Sequence, residues 1–419
     1  MIQPDPWAIA RTTSGAPPPI TVAVAERHPS AVGESSPITL TEPSRIAVPE
    51  HPPGDWRVNN FDLIRLLAAL QVAVVHAFVH LKPGGPFFLL VRSVLELFPG
   101  VPVFFVISGL LISRSYEQSD SLRNYYRNRC LRIFPGLWVC LVASLGVILI
   151  CGVGSLGSAG TGDWLLWWAA QMSVFQGYAP QFLTPLGTGM LNGSLWTIPV
   201  ELEFYLLLPV LYFVFGLRRR RQGDWLVLGV LLASLGVQLV LVYGLRRFAR
   251  VAEYGFLFAT LVPYLWMFLV GVLVQRNWVR VRGWFAHRGH WWVVGYVSIC
   301  VVARWVGIGN GGNNMNPLFF VPLAGVVVGC AMSAPTLADR VLGRRDVSYG
   351  TYIYHMLVIN LMVEFGVGGG MWAVAVAVGV AVGIAVVSWG VVEKPFLRGK
   401  RGALRGACET TAGGAAISN

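Results

Sequence analysis

Read for hydropathy alone, the chain is a series of apolar runs separated by short polar loops. The runs cover 60–81, 87–116, 136–153, 194–217, 225–243, 255–274, 291–306, 317–333, 349–365 and 371–392. A helix of about 20 apolar residues crosses a bilayer core, so ten transmembrane helices are expected. A further stretch at 163–178, DWLLWWAAQMSVFQGY, is short and Trp-rich, as an interfacial helix is. Residues 1–58 differ in kind: they are rich in Pro and Ser, with no run of spanning length. They also lack an apolar stretch followed by a small-residue cleavage site, so the expectation is a disordered tail and not a signal peptide. The predicted organisation is a tail over 1–58, a transmembrane domain over 59–398 and a basic, flexible tail over 399–419.

The polar loops add orientation. Basic residues gather in alternate loops: Arg123 to Arg132, Arg218 to Arg221, QRNWVRVRGWFAHRGH after the sixth run, Arg340 to Arg345, and the closing KPFLRGKRGALR. The loop GIGNGGNNMN between two of these is neutral and Gly/Asn-rich. By the positive-inside rule the basic loops and both termini are cytoplasmic. Arg246, Arg247 and Arg250 depart from the rule, falling on the outer side. The fold class predicted is thus all-α, a multi-pass protein of the cell (inner or plasma) membrane, with the lipid bilayer as its first partner.

Composition supports this and excludes alternatives. Of 419 residues 55% are hydrophobic and 12% charged, where soluble domains carry about 25% charged residues. The net charge of +12 is carried almost wholly by Arg, the lysines being Lys82, Lys394 and Lys400. Since it follows the topology, no nucleic-acid partner is expected. The six cysteines (Cys130, Cys140, Cys151, Cys300, Cys330, Cys408) form no CxxC pair and read as small buried hydrophobes.

Against that background, ionisable groups inside apolar runs are functional candidates, because charge at the centre of a span costs about 2.5–3.5 kcal/mol on insertion scales. The first run carries Asp62, Arg65, His76 and His80. Arg65 and His76 are eleven residues apart, which returns to nearly the same helix face about 16 Å along the axis. Asp62 is three residues from Arg65 and reads as its local partner. His76 and His80 are four apart but no carboxylate completes an HExxH pattern, so no metal is expected. In FFVISGLLI, Ser108 and Gly109 favour close helix packing. The segment RNYYRNRCLRIFP, with Arg127, Arg129 and Arg132, suits either phosphate binding or topology determination. In SLWTIPVELEFYLLLP, Glu201 shares a face with Tyr205 four residues on, and either orients His76 or acts on substrate; Glu203 points elsewhere. SYGTYIYH places His355 beyond a basic loop, open to a structural or a donor-binding role.

These motifs, in this order, resemble those of the membrane acyltransferase 3 family, the bacterial O-acetyltransferases of polysaccharides and secondary metabolites. FDLIR with His76, FFVISG, RNYYRNRCLRIFP, SLWTIPVELEFYLLLP with Trp196, SYGTYIYH and VEKP with Glu393 together span about 58–398. The resemblance implies ten transmembrane helices, an acyl-CoA donor from the cytoplasm, acetyl-CoA by default, and a hydroxyl acceptor on a glycan, glycolipid or metabolite. It implies no permanently bound cofactor. It assigns roles to Arg65, His76 and Glu201, and not to Glu203, because Leu202 stands where many members have a second Glu. The stretch after Arg405 is too short for the soluble hydrolase-like domain some members add. The expected chemistry is general-base acyl transfer by His76 with Glu201 in support, Arg65 and the arginines of 123–132 with His355 holding the donor, and Asp62, Ser108, Gly109, Trp196, Tyr205 and Glu393 supporting. A multi-pass transporter is the alternative; a structural or assembly subunit leaves the motifs unexplained.

Overall fold

In the computed structural model the described residues are 59–151, 159–217, 223–244 and 255–397, apart from 174, 177, 179, 335 and 344. Among them the chain is helical, with no strand. The expected tails over 1–58 and 399–419, and the arginines at 218–221, 246, 247 and 250, lie outside the described residues.

Six stretches are long and apolar enough to cross a bilayer: Phe61–Leu81, Pro86–Glu117, Leu122–Ile150, Gly193–Val214, Asp224–Gly244 and Met371–Leu397. The first is helix α1. The second is two helices, α2 (Pro86–Leu95) and α3 (Gly100–Glu117), parted where Pro99 adopts an extended backbone. Then follow α4 (Leu122–Ile150), the short α5 (Thr161–Met172), α6 (Thr197–Val214) and α7 (Asp224–Leu239). The remaining expected runs form shorter helices: α8 (Leu265–Arg276), α10 (Gly289–Trp305), α11 (Pro317–Ala331) and α13 (Ser348–Glu364). The run at 255–274 is cut short because its first residues form a 3-10 turn, Gly255–Ala259, and Pro263 disfavours helix at the residue before it. Two connectors, α9 (Trp278–Phe285) and α12 (Leu337–Leu342), and the final α14 (Met371–Ser388) complete the set.

Local chemistry fixes the ends that matter. Asn60 pins the start of α1, donating to the carbonyls of Ser333 (2.7 Å) and Ala334 (2.9 Å) and accepting from the Ala338 N–H (2.8 Å). Lys82 ends α1 in the left-handed conformation. Ser121 caps α4 by accepting from the Asn124 N–H. Gln71 bridges the α2–α3 break, donating to the Leu95 carbonyl (3.0 Å) and accepting from the Gly100 N–H (2.8 Å).

The helix α13 is buried on nearly every face and packs against α1, α4 and α14. A helix with no polar face belongs in the interior of an assembly. Beside it α3 crosses α8 with no room for side chains: a Cβ on Gly109 would stand 1.9 Å from the Phe268 carbonyl oxygen, and one on Gly271 2.2 Å from that of Val106. The outward faces are apolar instead of charged, with Phe213 and Trp305 86% and 89% exposed and Val142, Leu149 and Val387 beside solvent. Apolar surface on that scale is unsuited to water and suited to lipid. This is a membrane protein.

Candidate active site

The singled-out residues converge on two cavities that share a wall. The first, at the Arg65 end and termed inner, is lined by Arg65 of α1, Phe104 and Ser108 of α3, Thr197 and Glu201 of α6, and Tyr349 and Tyr352 of α13. The second, termed outer, is lined by Gln71 and His76 of α1, Glu96, Trp196, Asn310 and Asn313. Val101 and Tyr352 line both. The Tyr352 hydroxyl is held by Thr197 (2.8 Å) and the Ser194 carbonyl (3.0 Å), so the partition is fixed to the start of α6.

At the inner end, Asp346 gathers the cations. Its Oδ2 pairs with Arg132 and, at 3.4 Å, with Arg65; its Oδ1 accepts from the Ser348 hydroxyl (2.5 Å) and N–H (3.2 Å). Burial pushes the Asp346 carboxyl up, but Arg132, Arg65 and the Ser348 hydrogen bond outweigh it and hold the group well below the usual carboxylate range. The local pairing expected between Asp62 and Arg65 is replaced by this one; Asp62 is exposed. Sequence reasoning passed over Asp346, although an acid directly after Arg344 and Arg345, opening a buried helix, is the kind of signal that marks such a counter-ion.

The arginine segment divides. Arg127 is exposed, while Arg129 turns inward, donating to Ser115 Oγ (3.0 Å) and lying 5.7 Å from the Tyr205 ring centroid. The buried Arg129 Nε has no hydrogen-bond partner among the described residues. Tyr205, itself buried, donates to Glu201 Oε1 at 2.6 Å, and Ser108 donates to the same oxygen at 3.2 Å. Glu201 therefore belongs to the cavity of Arg65. The contact expected between Glu201 and His76 is not formed: Glu201 lines the inner cavity and bonds to Tyr205 and to Ser108 of α3, while His76 lines the outer one. Glu203 instead accepts from the Leu261 N–H (2.7 Å), a loop contact. Glu393 is 3% exposed and lies beyond α14, accepting weakly from Ser388 (3.4 Å) with its second oxygen unpartnered among the described residues.

His76 has a different partner. Its Nδ1 lies 2.9 Å from Nε2 of His355, whose Nδ1 lies 2.7 Å from the Tyr352 carbonyl oxygen. His355 is 1% exposed and two turns into α13, where it meets His76 of α1. His80 stands edge-on to His76 with centroids 6.5 Å apart, without a hydrogen bond. No group of three metal-ligating side chains occurs among the described residues.

Residues 58–393 match the family model described as an acyltransferase domain, of the acyltransferase 3 type. The chain belongs to the acyltransferase 3 family. It is 34% identical to nodulation protein 10 of Rhizobium leguminosarum bv. viciae over 355 residues, covering 81% of this chain and 93% of that protein. It is 27% identical to the O-acetyl transferase of Shigella phage Sf6 over 345 residues, 81% of this chain and 96% of the relative. A shorter likeness, 29% over 194 residues, links it to O-acetyltransferase OatA of Staphylococcus aureus, covering 43% of this chain and 29% of that protein. No solved structure matches it significantly. The protein is an enzyme, an acyltransferase, and its relatives place it with the O-acetyltransferases.

Proposed function

We propose that this acyltransferase moves an acetyl group from acetyl-CoA, entering from the cytoplasm, to a hydroxyl of a saccharide-bearing acceptor in the outer cavity. The observation that supports this reading most is the pair of cavities sharing Val101 and Tyr352, one lined by Arg65 and the other by His76. Two substrates of opposite character approach one partition from two sides. The eleven residues between Arg65 and His76 set about 16 Å between phosphate-binding end and chemistry, so the donor's extended arm, not its nucleotide, reaches the reacting centre. Arg65, Arg129 and Arg132 attract the donor's phosphates, with Arg127 at the surface as a first contact.

His76, neutral, takes the proton of the acceptor hydroxyl as its oxygen attacks the thioester carbonyl. The tetrahedral intermediate collapses with cleavage of the carbon–sulfur bond, and the proton passes to the departing thiolate. A positioned imidazole contributes about 10²–10⁴-fold in such steps. Glu201, with Oε1 occupied by Tyr205 and Ser108, turns Oε2 to the donor's amide N–H groups. Trp196 with the amide of Asn313 offers an apolar face and hydrogen bonds to the acceptor, the combination that sugar rings require.

This reading takes α8, α10, α11 and α13 as crossings beside the six long stretches, ten in all, with both termini cytoplasmic and the protein in the cell membrane. Family membership favours it over a transporter. The test is acetyl transfer by the purified protein from radiolabelled acetyl-CoA to a panel of saccharide acceptors in detergent. Transfer is expected, and its reduction by at least about 10²-fold in His76→Ala. A His76→Ala enzyme with full activity overturns the reading.

A further inference from the structure

The two histidines determine each other's tautomer. A backbone carbonyl oxygen only accepts, so the 2.7 Å contact between His355 Nδ1 and the Tyr352 carbonyl requires a proton on that nitrogen. A neutral His355 with Nδ1–H carries its lone pair on Nε2. That lone pair faces Nδ1 of His76 at 2.9 Å, so His76 donates there and is itself the Nδ1–H tautomer. Its Nε2 then holds the free lone pair, and this nitrogen makes no hydrogen bond to any described residue, while His76 lines the outer cavity. The opposite arrangement sets two lone pairs against each other at the Tyr352 carbonyl, inside a helix where His355 is 1% exposed and has no water to relieve it.

We propose that His355 is the positioning residue that fixes His76 as the Nδ1–H tautomer, so that Nε2 is the proton acceptor presented to the outer cavity. A carboxylate usually fills this place behind a catalytic imidazole; here a second imidazole does, anchored by its own helix backbone. Two consequences follow from using a neutral ring. No negative charge is buried beside the base, and the imidazolium formed when His76 Nε2 takes a proton keeps its Nδ1–H in the bond to His355. The ring is oriented throughout the cycle. The part His76 plays in transfer rests on the reading above; the tautomer does not.

The experiment is nitrogen-15 NMR of the full-length protein labelled at its seven histidines, in detergent without substrate, with His76→Gln assigning the signal. The long-range proton–nitrogen correlation pattern is expected to show His76 as the Nδ1–H tautomer, and an Nε2–H pattern overturns the proposal. Acetyl transfer by two variants gives a second readout. His355→Gln keeps an acceptor for the His76 Nδ1–H and is expected to hold kcat within about tenfold of the parent; His355→Leu removes it and is expected to lose about 10²–10⁴-fold in kcat with the acceptor KM little changed. Equal loss in both folded variants also overturns it. If neither variant folds, the spectrum of the parent protein decides. Should His76→Ala retain full transfer, the base fails while the tautomer still stands or falls on its spectrum.

Discussion

Arg132 and Asp346, 214 residues apart in the chain, form an ion pair at the inner end of the site, and the same carboxylate oxygen takes Arg65 from a third segment. It ties α1, α4 and the start of α13 through one atom. Removing one member of a buried pair leaves its partners uncompensated, which costs about 3–5 kcal/mol. Asp346→Asn is expected to lower the unfolding temperature in detergent markedly, and Arg132→Met by less, since two cations then no longer compete for one acid. A loss below about 1 kcal/mol for Asp346→Asn, the range of surface pairs, speaks against this account.

The same group sets an acid limit on stability. Its folded value lies below the unfolded one, near 4 for a free Asp, so the folded state gains above that value and the gain fades as pH falls through the depressed one. Between pH 5 and 8 Asp346 leaves stability flat, and below about pH 4 its contribution declines. Thermal melts across pH 3–8 check this: the acid branch of the parent is expected to be steeper than that of Asp346→Asn.

At the α3–α8 crossing, Gly109→Ala places a methyl group against a peptide carbonyl that belongs to a buried helix. Backbone cannot step aside as a side chain does, and overpacking typically costs about 1–3 kcal/mol, occasionally more. Gly271→Ala meets the same crossing from the other side. Both are expected to reduce the yield of folded protein, measured by size-exclusion profile and melting temperature. Gly146→Ala, where nothing lies within 4 Å, serves as the neutral control.

What was legible in the sequence follows the distance over which each interaction acts. Hydropathy runs are local: each of the ten expected runs contains a helix, six of them within stretches long and apolar enough to cross a bilayer, with boundaries shifted where Pro99 and Pro263 impose their own backbone geometry. Arg65, His76 and Glu201 stood out as candidates because charge inside an apolar run is conspicuous alone. Which of them meet was hidden, since pairing across helices depends on rotation about each axis. Asp346 was masked by its arginine neighbours, whose charge reads as topology. His355 stayed open between a structural and a donor-binding role, because the sequence shows its distance from the basic loop and not the histidine it meets on another helix.

Donor binding and chemistry separate at Tyr205. Tyr205 gives Glu201 Oε1 its shorter hydrogen bond, 2.6 Å against 3.2 Å from Ser108, and Arg129 covers the face of the same ring. A hydrogen bond to an ionised acceptor is worth about 1.5–3 kcal/mol, or about 10- to 150-fold in a rate or binding constant. If Glu201 serves the donor in the inner cavity, Tyr205→Phe frees its carboxylate to turn, and the loss falls on the acetyl-CoA side. The expected result is a rise in the KM for acetyl-CoA of that order, smaller for Ser108→Ala, with the acceptor KM unchanged. Initial rates at varied donor and fixed acceptor, then the reverse, measure it. An effect confined to the acceptor KM would instead place Glu201 with His76 across the Tyr352 partition, and require that wall to open during turnover.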